Sequence, residues 1–382
     1  MTETDWHTDA FPELRSAPPW VMQEMIAAQP RVVRALLSDP PPGTQRAADA
    51  IRQALAQRLP VTVCGCGTSE HAAHALAAIL AAAVDPGQAH LIRARPSLGA
   101  ALEPAAGVCV AVSHDGGTHA TALALQAARG AGATTVTITH EPQGSVAAAA
   151  EHVLLTPEHD DSWCHTLAYT SALAAGAALA GSAGSLAADP GAAATLLEGC
   201  VALAPATALA QRLAERRVLL CAGAAADHIT ARELALKIAE GARLPTVALE
   251  LETVLHGQLA GHEPADALIL VLVTQHRQQQ RIARRAVHVA RAAAAIGLPV
   301  AALVSEDYAG VLDEELTPAG QLLLPGAQPV HPLLAGLLAG AGALQALTLE
   351  LAHARHTNPD LIRREQAPYR QAAQEGEGDS GW

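Results

Sequence analysis

The sequence predicts an α/β fold built as two similar halves, and three observations carry that reading. Short apolar runs of strand length alternate with Ala/Leu-rich segments of helical length, a βαβ rhythm that implies parallel sheets flanked by helices. Small-residue loops join strand to helix at Val61–Glu70 and Val110–Thr118. The rhythm restarts at Arg217, roughly 150 residues on, as duplication of one α/β unit would require.

Residues 1–45 read as an amphipathic helical extension, with one segment stopped by Pro18-Pro19 and the next by Pro40-Pro41-Pro42. In the first half, residues 46–198, strands are expected at Val61–Cys64, Gly107–Val112, Thr135–Thr139 and His152–Leu155. Long helices follow the first two, and Gly130 sits where the second helix should end. In the second half, residues 199–345, strands are expected at Arg217–Ala222, Val247–Glu250, Ala267–Thr274 and Val300–Val304. Helices are expected there at Ile229–Ala242 and Gln278–Ile296. A last helix, Leu333–His356, leads into a polar tail within residues 346–382, expected to lack order from Gln374 onward.

The chain is 50% hydrophobic but only 2% aromatic, so alanine and leucine must fill the core. A net charge of −13 argues against nucleic acid, whose phosphates need a clustered basic face. Every long apolar stretch is interrupted by polar residues, so no membrane span is expected. The opening Met-Thr-Glu-Thr-Asp-Trp lacks the basic-then-apolar pattern of a secretory leader. The six cysteines are scattered and read as reduced thiols, which places the protein in the cytoplasm. Cys64-Gly-Cys66 has no second ligand pair at zinc spacing, so neither a metal nor another cofactor is expected.

The two first-half loops point backbone N–H groups and hydroxyls into one crevice, which suits an anion. Gly67, Thr68 and Ser69 belong to one loop; Ser113, His114, Asp115, Gly116 and Thr118 to the other. Helix capping is the plainer role for these Ser and Thr residues. The second half carries Gly223-Ala-Ala225 and Thr274-Gln-His-Arg-Gln-Gln279 at the matching places, so the ligand loops are assigned to the first half alone. Asp115 is the anomaly. A carboxylate about 5 Å from a phosphate dianion is repelled by roughly 6–7 kcal/mol at an effective dielectric of about 20. A lost serine hydrogen bond is worth only about 1–3 kcal/mol. Phosphate binding there needs offsetting groups, for which His114, His119, Arg93 and Arg95 are candidates; otherwise the ligand is neutral, cationic, or phosphorylated elsewhere.

Five motifs in order carry a resemblance: Met22-Gln-Glu-Met-Ile26 with Gln29-Pro30, Cys66-Gly-Thr-Ser69, Ser113-His-Asp-Gly-Gly-Thr118, Leu236-Lys-Ile-Ala-Glu240, and His256-Gly257. Together they resemble the sugar isomerase (SIS) domain family, in particular the isomerase half of glucosamine-6-phosphate synthases. The resemblance implies two flavodoxin-like SIS subdomains with helical extensions at both ends. It implies that Glu240 moves a proton between C1 and C2 of an open-chain sugar, with Lys237 near the substrate hydroxyls. His256 would open the ring, reaching in from the neighbouring subunit of a homodimer. The activity so implied is aldose–ketose isomerisation of a sugar or sugar phosphate, or its amino-sugar, deaminating form. A non-catalytic sugar-phosphate sensor and a purely structural dimerisation module are the alternatives. The plainer readings make Glu240 a surface residue paired with Lys237 or Arg243, and His256 a loop histidine.

The chain departs from the family pattern in its tail, where Ala367 stands at the place of the synthases' lysine, which argues against a Schiff base there. It also shows no glutaminase nucleophile, so no amide nitrogen transfer is expected. In Asp160-Asp-Ser-Trp-Cys-His-Thr166, His165 takes the place of a sugar-site serine, and Leu167 that of a lysine. His165 with Asp160 or Asp161 makes either an acid–base pair or a structural contact. A metal held by His114, Asp115, His119 and His165 is set aside, because no short ligand spacing on one element supports it. By the same resemblance the tail folds back over the site, where Arg363 or Arg364 adds positive charge.

Overall fold

The structure is a computed structural model that describes residues 15–326 and 329–377; the start of the helical extension and the last tail residues lie outside the described residues. Its first part runs α1 (Val21–Ser38), α2 (Thr44–Ala56), β1 (Val61–Gly65), α3 (Thr68–Ala83), β2 (Ile92–Pro96), α4 (Ser97–Leu102) and β3 (Gly107–Val112). It continues through α5 (His119–Gly130), β4 (Ala133–Thr139), α6 (Ser145–Ala149), β5 (His152–Leu155) and α7 (Leu167–Ala183). Helices α8 (Pro190–Val201) and α9 (Pro205–Leu213) lead to β6 (Leu219–Gly223), α10 (Ala226–Lys237), a π-helical turn Ile238–Ala242, and β7 (Thr246–Glu250). Then follow β8 (Ala267–Leu272), α11 (Gln279–Ala295), β9 (Val300–Ser305), β10 (Gly320–Leu324), α12 (Pro332–Ala354) and α13 (Ala367–Glu377).

Both sheets are parallel, ordered β2-β1-β3-β4-β5 and β10-β9-β8-β6-β7. Read from β7, the second repeats the 2-1-3-4-5 order of the first, the flavodoxin-like topology. In this order the strand sequence reverses beside the first strand of each half, which opens a crevice at the carboxyl ends of β1 and β3, and of β6 and β8. The expected fold class therefore holds. Two strands, β2 and β10, lie beyond those expected. Both are edge strands, and β2 reads Ile-Arg-Ala-Arg-Pro, whose charges suit a sheet edge but mask the apolar signal. The expected helix 229–242 divides into α10 and the π turn. The breaks expected at 198/199 and 345/346 fall within α8 and α12.

One continuous apolar core joins the two sheets through α3, α7, α10 and α12. Helix α7 is apolar all round and buried, as a central helix must be. Gly176 on α7 faces Leu76 on α3, where an added Cβ would lie 2.7 Å from Leu76 Cδ1, so small residues set the spacing of these helices. Contrary to the expectation that no stretch is long and apolar enough, α12 is of membrane-spanning length and apolarity; most of it is covered by protein. All six cysteines are free.

Candidate functional site

The first-half crevice forms where β1, β3 and β5 release their loops. Gly67, with φ 57° and ψ −128°, turns the chain from β1 into α3, so that Thr68 and Ser69 begin the helix facing the β3 loop. A Cβ on Gly65 would fall 2.3 Å from the Ser69 carbonyl oxygen, which is why the strand ends on glycine. The β3 loop is anchored at Ser113, whose N–H donates to the Ile138 carbonyl at 3.0 Å. Beyond it Asp115, Gly117 and Thr118 are exposed, while Gly116 is buried against Glu141 and turns with φ 64°. The cavity beneath, lined by Thr68, Ser69, His114, His165, Ala168 and Tyr169, has a volume of only about 10 Å³. That is room for one water, not for a sugar. Ser113 Oγ, Thr156 Oγ1 and Tyr169 Oη are buried in this region without a hydrogen-bond partner.

Histidines surround Asp115. Its Oδ1 lies 3.6 Å from His159 Nε2 and 3.9 Å from His114 Nε2, and its Oδ2 lies 3.5 Å from His165 Nε2. His140 packs against both His114 and His159, with ring centroids 5.8 and 5.3 Å away. Asp160 is buried and accepts the N–H groups of Thr166 at 2.6 Å and Ala168 at 2.9 Å, which caps α7 and places His165. Its own N–H donates to His114 Nε2 at 2.9 Å. Burial, reinforced by the His165 ring, lowers His114 to about 3. Asp115 raises His159 to about 9; burial opposes this, and Asp161 adds to the rise. Burial raises Asp115, but His159 and His165 outweigh it and hold the carboxyl well below its usual range.

A second polar group lies where α10 meets α3. Lys237, the only lysine in the sequence, is fully buried. Its Nζ lies 2.5 Å from Glu240 Oε2 and 3.8 Å from Glu233 Oε1. Burial lowers the Lys237 ammonium, but Glu240 and Glu233 outweigh it and hold it above its usual range. Glu233 also meets His71 Nδ1 at 2.6 Å, one turn beyond Thr68 and Ser69 on α3. Glu240 stands on the π turn with 22% of its side chain exposed. Such turns recur at functional sites because they re-aim one residue without ending the helix. The Cys164 thiol, next to His165, donates to the Lys237 carbonyl at 3.9 Å. The Glu233–Lys237–Glu240 group and the first-half crevice therefore adjoin.

The family model of the SIS domain matches residues 54–182. None of the curated proteins matches the sequence. Among solved structures, the chain is similar to the C-terminal domain of glucosamine-fructose-6-phosphate aminotransferase from Francisella tularensis. That match has 17% identity and a TM-score of 0.73, over 91% of this chain and 99% of that one. It is similar to tagatose-6-phosphate ketose/aldose isomerase from Escherichia coli, at 18% identity and TM-score 0.70, over 93% and 98%. It is also similar to glucosamine-6-phosphate deaminase from Thermotoga maritima, at 16% identity and TM-score 0.60, over 89% and 96%. The fold is that of tandem SIS subdomains.

Within this SIS fold, the structure brings Gly67, Thr68, Ser69, Ser113, His114, Asp115, Gly116, Thr118 and His165 to one crevice, with Lys237 and Glu240 beside it. It does not bring His256 there within the chain. His256 is exposed, and its Nε2 meets Glu252 at 2.9 Å, a carboxylate also gripped by Arg285. Of the candidates for offsetting Asp115, Arg95 is engaged with Glu103 at 2.5 Å; His114 is present but neutral. His159 and His165 take that part. His159 was missed by sequence reasoning; its signal was the Glu158-His-Asp-Asp161 run after β5. Of the tail arginines, Arg364 stacks over Trp163 at 4.6 Å and Arg363 over Tyr369 at 4.1 Å.

The second half closes its own crevice. Asp227, at the place of Ser69, accepts the N–H groups of Val273 at 3.3 Å and Thr274 at 2.8 Å, so its carboxylate occupies an anion's place. The cleft outside it, about 490 Å³, is walled chiefly by small apolar residues such as Ala81, Val84, Pro86 and Ala225.

Proposed function

We propose that the chain is an enzyme of aldose–ketose isomerisation acting on a sugar or sugar phosphate, with deamination of an amino sugar as a related reaction. The observation that carries this reading is the Lys237–Glu240 pair. A partly exposed carboxylate is held on a π turn by the one buried lysine, beside small-residue loops at the carboxyl ends of parallel strands. Isomerisation requires one base that removes a proton at C2 and returns it at C1, and a rigidly held carboxylate suits that shuttle. The printed activities of the similar structures, a ketose/aldose isomerase and a deaminase, agree with this chemistry. Because the cavity is narrow, the sugar would lie across the mouth, over Gly67, Ser69, Gly116 and Thr118, with histidine rings offsetting the charge of Asp115.

In this reading His256 acts as the ring-opening acid from a second copy of the chain, since it stands on an exposed face away from Glu240. Glu240→Gln tests the base. Turnover should fall by about 10²–10⁴-fold with sugar affinity kept. Unchanged turnover of every accepted sugar would refute the assignment. Sedimentation with and without ligand tests the shared site, and a strictly monomeric, active enzyme would exclude it. The sensor reading predicts sugar binding with no turnover in the unaltered chain.

A further inference from the structure

We propose that His114, Asp115 and His159 bind a divalent transition-metal ion at the mouth of the first-half crevice. This goes beyond the sugar reading and does not rest on it. Sequence spacing argues against a metal because the donors sit on two separate loops, one after β3 and one after β5. Parallel-sheet topology places both loops at the same end of the sheet.

The distances favour an ion over hydrogen bonds. One donor atom from each of His114, Asp115 and His159 lies within 4.8 Å of the others. The separations from Asp115 Oδ1, 3.6 Å to His159 Nε2 and 3.9 Å to His114 Nε2, exceed a hydrogen bond. Two donors bound to one ion at about 2.0–2.2 Å, at a tetrahedral angle, stand about 3.3–3.5 Å apart. The gap to His159 is close to that spacing, and the gap to His114 is wider.

The surrounding groups have the form that supports metal-binding histidines. His159 Nδ1 meets Asp161 Oδ1 at 2.9 Å, which leaves Nε2 turned toward Asp115. A carboxylate behind a ring nitrogen fixes the tautomer and raises the basicity of the ligating nitrogen. His114 already presents its Nε2 lone pair, to the Asp160 N–H, so ligation through His114 displaces that bond.

Imidazole with one carboxylate selects Zn²⁺, Co²⁺ or Ni²⁺ over Mg²⁺ and Ca²⁺. Three protein donors leave at least one position for solvent or an oxygen of a ligand, and Asp115 is exposed, so the site opens outward. Ligation requires neutral imidazole rings.

The test uses the full chain, treated with chelator and dialysed, then titrated with Co²⁺ and Zn²⁺ at pH 7.5. The d–d absorption and calorimetry are the readouts. One Co²⁺ per chain with a visible band is expected, displaced by Zn²⁺. Asp115→Asn and His159→Ala should each weaken binding at least tenfold, while His256→Ala binds as the unaltered chain does. Both altered residues are exposed, and circular dichroism verifies that the variants fold. Absence of a cobalt band, or binding undiminished in the Asp115→Asn/His159→Ala double variant, would overturn the proposal. Glu240→Gln should retain the metal, so loss of the isomerase reading and loss of the metal site give different results.

Discussion

The Met22 N–H donates to Asp360 Oδ1 at 2.7 Å, so a residue of the tail caps the first helix of the chain. The Val21 N–H reaches the other carboxylate oxygen at 2.9 Å, and the Ser162 hydroxyl donates to Oδ1 at 3.1 Å. A carboxylate at a helix N-terminus meets both its unpaired N–H groups and its positive dipole end. Through Ser162 the same group steadies the segment that carries His159 and His165. Asp360→Ala should cost about 2–4 kcal/mol, the sum of a lost cap and buried N–H groups left unpaired. Urea denaturation measures this, and Asp360→Asn should recover part of it.

Gly67 and Ala225 hold nearly the same backbone, φ 57° and ψ −128° against φ 52° and ψ −121°, at matching places in the two halves. Only glycine adopts that region without strain. Ala225→Gly should therefore stabilise the protein by about 1 kcal/mol, strain relief exceeding the added entropy of the unfolded chain. Gly67→Ala should destabilise it although the site has room for a methyl group. Thermal midpoints that moved together, rather than apart, would contradict the comparison.

Lys237 neutralises carboxylates that water does not reach well, since Glu233 is fully buried. Lys237→Met should cost about 3–5 kcal/mol by leaving buried charge unpaired. Adding Glu233→Gln should return a substantial share of that loss. The double-mutant cycle in denaturant reads the coupling directly.

Burial raises the Asp227 carboxyl to about 7, against about 4 in an unfolded chain, with the two loop N–H donors opposing part of the rise. The native state then keeps a proton that the unfolded chain releases. Its contribution is complete below pH 4 and is lost as pH rises through 7, at most about 4 kcal/mol. Asp227→Asn should remove that fall, so the stability difference between variant and parent should grow in the variant's favour from pH 4.5 to 7.5.

Local pattern alone determined eight of the ten described strands, the restart of the rhythm, and the loops 67–69 and 113–118, while the motif around Glu240 was legible through its resemblance to a known family. Each depends on apolar period, small residues at turns, and order along the chain, all of which are written in consecutive residues. Edge strand β2 was less legible because its two arginines break the apolar pattern, whereas β10, Gly-Gln-Leu-Leu-Leu, carries an apolar signal that the sequence reading passed over. Tertiary structure decided the rest: His159 facing Asp115, Asp227 filling the second crevice, Lys237 joining Glu233 and Glu240, and Asp360 capping α1. Charge pairing between distant segments depends on which strand ends share a sheet edge and on how much water burial removes. Neither quantity is a property of any local stretch of sequence.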